Sequence, residues 1–256
     1  MSATGKVIVV MPAYNAAQTL VETYQNIPAE HVDKVILVDD GSIDDTARVA
    51  QTLDLELIVH PHNAGYGANQ KTCYMEALRQ GADVVIMLHP DGQYDPEIIP
   101  DMINAIWERR GDFVMGSRFL PPENALQGGM PRYKFLANRF LTAVENLVMG
   151  TKLSECHTGY RAYSRRLLET VPFLRNSNGF VFDTEMIFQA NHFGFHFAEV
   201  PVSTRYFNEA SSISFTGSTV YGLKTLWVAG RYLLHRLHLW QFDLFKAAHR
   251  GETTAE

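Results

Sequence analysis

The chain has 256 residues, 46% apolar and 20% charged, with a formal net charge of −6; these values exclude global disorder and leave enough chain for a sizeable core. No apolar run approaches the ~20 residues of a transmembrane helix, and an acidic chain is a poor partner for nucleic acid, which is held through many Lys/Arg–phosphate contacts. The start of the chain lacks the long apolar stretch and cleavage site of a signal peptide, and two cysteines without metal-ligand spacing, Cys73 and Cys156, fit a reduced, cytoplasmic setting.

The first half alternates strand and helix signals. A β-branched run over residues 6–11 stops at Pro12, a helical pattern covers 17–26, and a second buried strand covers 34–38. Ser42 and the acids after it suit a helix start. A third strand, 55–59, leads into a helix ending near Gln80; a fourth covers 83–88, Pro96 stands where a helix tolerates proline, and 112–116 reads as a fifth strand. Residues 120–130, with prolines, glycines and few apolar side chains, read as a mobile loop that closes over a ligand. Arg132–Met149 has helical spacing, 158–163 is strand-like, 183–192 helical and 196–205 a last strand. Apolar strands alternating with helices predict an α/β fold with a mostly parallel central sheet covered on both faces. Residues 1–209 form the expected catalytic domain and 210–256 a C-terminal helical extension of the same unit.

In such sheets ligands bind beyond the carboxyl ends of the strands, and the residues there are rich in Asp, His, Asn and Gly. The first strand is followed by Pro12, Ala13, Tyr14 and Asn15, which offer no glycine nest for a pyrophosphate and so exclude dinucleotide-fold and P-loop chemistry. Asp39 and Asp40 end the second strand, where a carboxylate can accept hydrogen bonds from a base or ribose; turn and helix-cap chemistry is the alternative. His89, Asp91 and Gln93 share one turn after the fourth strand. Their oxygens suit Mg2+ or Mn2+, and Mn2+ also accepts imidazole. An ion there would neutralise a diphosphate leaving group.

Taken in order, Pro12 to Asn15, Val38 to Thr46, Asn63 to Gly67, Asp91-Gly-Gln93, Gly116-Ser-Arg118 and Thr158 to Ala162 resemble family 2 glycosyltransferases. Within the family the series is most similar to the polyprenyl-phosphate, dolichol-phosphate-type sugar synthases. The resemblance covers about residues 6–207 and implies a GT-A fold, a UDP- or GDP-sugar donor, a divalent cation and inversion at the anomeric carbon. It assigns Pro12, Tyr14, Asp39 and Asp40 to the nucleoside, and Asp91 and Gln93 to cation and diphosphate. Arg118 and Arg132 go to the phosphates of donor and acceptor, and Asp183 and Glu185 to the wall near the sugar. Two departures stand out. His89 replaces the usual acid, leaving H-x-D, so it is either a third ligand or leaves the metal to Asp91, Gln93 and the diphosphate. Leu136 stands where lipid-phosphate synthases often carry serine.

A phosphate acceptor is already ionised and needs positioning, whereas a hydroxyl acceptor needs a base. Arg118, Arg132, Lys134, Arg161 and Arg205 are candidates for acceptor phosphate binding. Asp183 is either a helix cap or the base for a hydroxyl. A polyprenyl phosphate is the first acceptor expected; a glycan or small-molecule hydroxyl is the alternative, and a non-catalytic nucleotide-sugar binder a further one. His157, beside Thr158 to Arg161, lies close to the expected sugar pocket. Residues 210–250 carry +4 while the remainder is −10. Interleaved Leu, Trp and Lys/Arg over 221–245 suit either an amphipathic helix at the inner membrane face or a homodimer contact.

Overall fold

A computed structural model describes residues 5–204 and 215–247. Seven strands form one sheet in the order β3-β2-β1-β4-β6-β5-β7: β1 (Val7–Ala13), β2 (Lys34–Asp39), β3 (Glu56–Val59), β4 (Val84–Met87), β5 (Phe113–Ser117), β6 (Arg161–Ser164) and β7 (Phe197–Pro201). The β1–β2, β2–β3, β1–β4 and β5–β7 pairs are parallel. β6 runs antiparallel between β4 and β5, pairing Ile86 with Ala162 and Val114 with Ala162. The expected mostly parallel sheet is therefore mixed.

Every residue of β1 is buried, because both sheet faces are covered. Ile8 and Val10 enter one core with Tyr74, Phe182 and Phe188; Val7, Val9 and Met11 enter the other with Leu20, Met102 and Ile106. At about 1.5–3 kcal/mol for each fully buried aliphatic side chain, such strands anchor the sheet.

The helices are α1 (Leu20–Gln25), α2 (Thr46–Ala50), α3 (Tyr66–Arg79), α4 (Ile99–Trp107), α5 (Glu123–Gln127), α6 (Arg132–Met149), α7 (Arg165–Thr170), α8 (Phe182–His192) and α9 (Phe215–Arg236). α6 starts after Pro131 and ends at Gly150, whose left-handed φ of 77° lets its N–H bond Asn146 O at 2.8 Å. Two helices correct the expectation. The stretch 120–130 contains α5 and buries Phe119, Ala125 and Met130 against Phe135. α7 is capped by Ser164, whose hydroxyl accepts from Leu167 N at 3.2 Å. The last strand ends at Pro201, and Arg205 lies outside the described residues. α9 packs on α6 and α8, and after it a turn at Asp243–Phe245 buries Leu244 and Phe245.

Candidate active site

The carboxyl ends of β1, β2 and β4 meet α6, α8 and α9 around one cavity of about 710 Å³. Pro12, Tyr14, Asp40, His89, Asp91 and Gln93 line it, and so do Arg118, Lys134 and Asp183. The strand ends thus gather residues that lie far apart along the chain.

At the end of β2 the two aspartates expected to meet a nucleoside differ. Asp39 lies behind the wall and builds the turn, accepting from Ser42 N at 3.1 Å and from the Ser42 hydroxyl. Asp40 accepts from Ala64 N and Gly65 N, both at 2.9 Å, and lies 2.7 Å from His60 Nδ1. It ties residues 60–65 to the end of β2. Gly65 is required there: its φ is 102°, and a Cβ would stand 2.6 Å from Asn178 O.

On the turn after β4, Gln93 donates to Asp91 through its backbone N–H at 3.1 Å and its side-chain amide at 3.0 Å. Thr19 fixes the turn from α1 by donating to Pro90 O at 2.6 Å. Among the described residues no three His, Cys, Asp or Glu side chains form a metal cluster. One carboxylate and one amide oxygen on a cavity wall do fit a cation of the Mg2+ type, which binds few protein ligands and takes the rest from substrate phosphate and water. His89 contributes differently. Its Nε2 lies 3.2 Å from the Tyr66 hydroxyl, and its ring stacks on Tyr66 with centroids 5.5 Å apart. Gly159 allows this, since a Cβ there would stand 2.9 Å from the imidazole.

Tyr66 then links His89 to Asp183, donating to Asp183 Oδ2 at 2.6 Å. Gln70 donates to Oδ1 at 3.2 Å. Burial, reinforced by Asp183, pushes the Tyr66 phenol well up, so it stays a donor. Asp183 is therefore an oriented carboxylate on the cavity wall, on the first turn of α8.

The arginines depart from expectation. Arg161 is fully buried and does not line the cavity. It donates to the carbonyls of Thr158 at 2.8 Å and Asp183 at 2.9 Å, and its Nη1 lies 3.4 Å from Asp183 Oδ1. Burial opposes its charge, but Asp183, Tyr163 and Tyr66 together outweigh that and raise its pKa. A phosphate-binding role is replaced by support of Asp183 from below. Arg118 reaches the cavity with its guanidinium held by Glu155, Nε to Oε1 at 2.9 Å, and by His157 O at 3.0 Å. Burial opposes the Glu155 charge, yet Arg118 holds its carboxyl below the usual range. Arg132 is exposed at the start of α6 and lies off the cavity wall, whereas Lys134 lines it. Glu185, expected near the sugar, instead accepts from Ser177 N at 2.7 Å and Ser177 Oγ at 2.8 Å.

Tyr66 and Glu155 carry much of this geometry without having been singled out in the sequence. Tyr66 had a signal, lying in the Asn63 to Gly67 motif. Glu155 had none, because its bond to Arg118 joins residues 37 positions apart.

Three sets of likenesses accompany this geometry. The family model for glycosyl transferase family 2 matches residues 8–171. The chain is 26% identical to a UDP-N-acetylglucosamine–dolichyl-phosphate N-acetylglucosaminyltransferase from Methanococcus voltae, over 78% of this chain and 86% of that one. It is also 26% identical to a polyprenol monophosphomannose synthase from Mycolicibacterium smegmatis, over 78% of this chain and 77% of that one. Among solved structures, glucosyl-3-phosphoglycerate synthase from Mycobacterium tuberculosis in complex with UDP superposes with a TM-score of 0.70 at 18% identity, over 90% of this chain and 81% of that one. The same synthase has been solved with Mg2+ and UDP, again at 18% identity, with a TM-score of 0.68 over 90% of this chain and 80% of that one. The fold is the α/β GT-A architecture.

Proposed function

Because the chain belongs to glycosyl transferase family 2 and is an inverting, nucleotide-sugar-dependent glycosyltransferase, we propose that it moves a sugar from a UDP- or GDP-sugar to a hydroxyl of a glycan or small molecule. The observation that carries this reading is Asp183, an oriented carboxylate on the cavity wall. A hydroxyl needs such a base. Asp183 takes the acceptor proton, the hydroxyl oxygen bonds the anomeric carbon, and the bond from that carbon to the diphosphate breaks on the opposite face. The configuration inverts. Asp91 and Gln93 would hold Mg2+ or Mn2+, which when bound neutralises the diphosphate leaving group. Pro12, Tyr14 and the loop braced by Asp40 receive the nucleoside, with Asp39 shaping the turn behind them. Residues 1–209 act as the catalytic domain and 210–256 as its extension.

Asp183→Asn tests this directly. Transfer to a hydroxyl acceptor falls by about 10²–10⁴-fold, while thermal stabilisation by donor nucleotide with Mn2+ is retained. Near-normal transfer to the hydroxyl acceptor would overturn the assignment.

A second reading takes a polyprenyl phosphate as acceptor. It is favoured by the two relatives named for such lipids and by exposed apolar side chains on α6 and α9, among them Leu136, Phe140, Leu223 and Trp227. In that case Arg118 and Lys134 position the phosphate, the partner surface is an anionic membrane at the cytoplasmic face, and Asp183→Asn keeps most of its transfer.

A further inference from the structure

A buried chain of polar groups runs from α6 to the cavity and has no part in the chemistry described so far. Glu145 on α6 is fully buried, and neither carboxylate oxygen has a hydrogen-bond partner among the described residues. Its near neighbour is His157, whose Nε2 stands 2.9 Å from Glu145 Oε2 in a close but unaligned contact. The other imidazole nitrogen, Nδ1, lies 2.9 Å from the Tyr221 hydroxyl. Tyr221 belongs to α9, lines the cavity together with His157, and sits 3.3 Å from the hydroxyl of Thr184, the neighbour of Asp183. Burial, and Glu145 after it, push the Tyr221 phenol up, so the chain ends at the cavity in a neutral hydroxyl.

The charge around this corner constrains what can bind. A carboxylate buried without hydrogen bonds is costly, and one retained behind a cavity wall repels any anion bound against that wall. The buried carboxylates of Glu155 and Asp183 are each in contact with a guanidinium, of Arg118 and Arg161, and the third, Glu145, stands against His157. The two guanidiniums are thus held by buried carboxylates rather than converging with Lys134 as a fork for a phosphate dianion. Met130, Ala137 and Leu141 line the cavity beside these groups.

We propose that Tyr221 is the acceptor-specificity contact of this enzyme, binding an uncharged hydroxyl neighbouring the one that Asp183 deprotonates, and that His157 and Glu145 are its positioning residues. The acceptor is then a polyol or sugar with adjacent hydroxyls and no charge at that end. The phenol can donate to such a group or accept from it, whereas Glu145 disfavours a phosphate in the same place. This inference rests on the hydroxyl-acceptor reading and adds a residue from the C-terminal segment to the site.

The test uses the full chain, Mn2+ and the UDP- or GDP-hexose that stabilises it most, with methyl glucoside and glycerol as uncharged acceptors and glycerol 3-phosphate and undecaprenyl phosphate as charged ones. Tyr221→Phe is expected to raise KM for the uncharged acceptors about tenfold, the size of one hydrogen bond, with the donor KM unchanged. Glu145→Gln keeps the side-chain shape and removes the opposing charge. It is expected to raise the ratio of kcat/KM for glycerol 3-phosphate over glycerol about tenfold, a shift that a purely structural role does not produce. His157→Gln checks the chain where Glu145→Gln does not fold, and gives the Tyr221→Phe phenotype. Transfer by the wild type to undecaprenyl phosphate alone overturns the hydroxyl-acceptor reading and this inference together. Transfer to glycerol 3-phosphate but not to glycerol or methyl glucoside still uses a hydroxyl, so it overturns this inference and leaves that reading standing. Transfer to the uncharged acceptors with KM and selectivity unmoved in these variants overturns this inference and leaves that reading standing.

Discussion

Asp91 and Arg161 illustrate how differently charged residues serve one cavity. Asp91 is half-buried on the turn after β4, where its carboxylate accepts from Gln93. Replacing it by Ala removes turn bonds worth about 0.5–1.5 kcal/mol each, small against a domain of this size, but it deletes the carboxylate proposed to hold the cation. Asp91→Ala should abolish nucleotide release from the donor in the presence of acceptor and Mn2+ while the melting temperature moves by only a few degrees. Turnover near that of the wild type would remove Asp91 from the metal site. Arg161 should behave in the opposite sense. It is fully buried, and its loss leaves Asp183 without its charged neighbour. Arg161→Met is therefore expected to destabilise the fold by about 3–5 kcal/mol, the scale for breaking a buried pair, read as a lowered denaturant midpoint. A midpoint within error of the wild type would show that Arg161 is not supporting Asp183.

At the scale of elements, the docking of α9 carries its own pH dependence. His192 of α8 and His235 of α9 pack with ring centroids 5.0 Å apart, each also against Phe245. Burial, followed by His235, holds His192 below its ordinary value of 6.5; burial, followed by His238 and Lys246, does the same to His235. Each imidazole binds a proton more readily in the unfolded chain than in the fold. Stability from this contact is thus fully present above about pH 6.5 and falls as the pH drops below it. The melting temperature should decline between pH 7.5 and 5.5, and His192→Phe, which keeps an aromatic ring and removes the proton site, should flatten that decline. An unchanged slope would put the pH dependence elsewhere. Elements whose signal is local were legible in the sequence: β1, β2 and β4 are aliphatic runs between turn residues, and α6 lies between Pro131 and Gly150. The direction of β6 was not, because residue alternation is the same in parallel and antiparallel strands. α5 was hidden by the prolines and glycines around it. The site divides the same way. Strand-end residues such as Asp40, Asp91 and Arg118 follow from the rule that ligands sit beyond strand ends, whereas the Tyr66–Asp183 bond joins residues 117 positions apart and has no periodic signature.

For the whole molecule, the division of charge bears on where the enzyme works. Residues 210–250 carry +4 and the remainder of the chain −10, and α9, from Phe215 to Arg236, contains no acid. Lys224 and Arg236 lie among exposed Leu223, Trp227 and Leu233 on α9, and Arg139 lies between exposed Leu136 and Phe140 on the adjacent α6. Among the described residues no helix is long and apolar enough to cross a membrane. Exposed Trp and Leu interleaved with cations instead match the chemistry of an anionic bilayer surface, where apolar side chains enter the headgroup boundary and Lys/Arg meet lipid phosphates. The full chain should cosediment with vesicles containing phosphatidylglycerol and much less with phosphatidylcholine alone, and the difference should shrink as salt rises from 0.05 to 0.5 M, since about 1 kcal/mol per basic residue is screened. Leu223→Asp combined with Trp227→Asp should lose the binding while leaving transfer to a water-soluble acceptor measurable. Equal sedimentation with both lipids would exclude an electrostatic membrane contact. A concentration-dependent dimer that the same double variant breaks, without vesicle binding by the wild type, would give this face to a second copy of the chain instead.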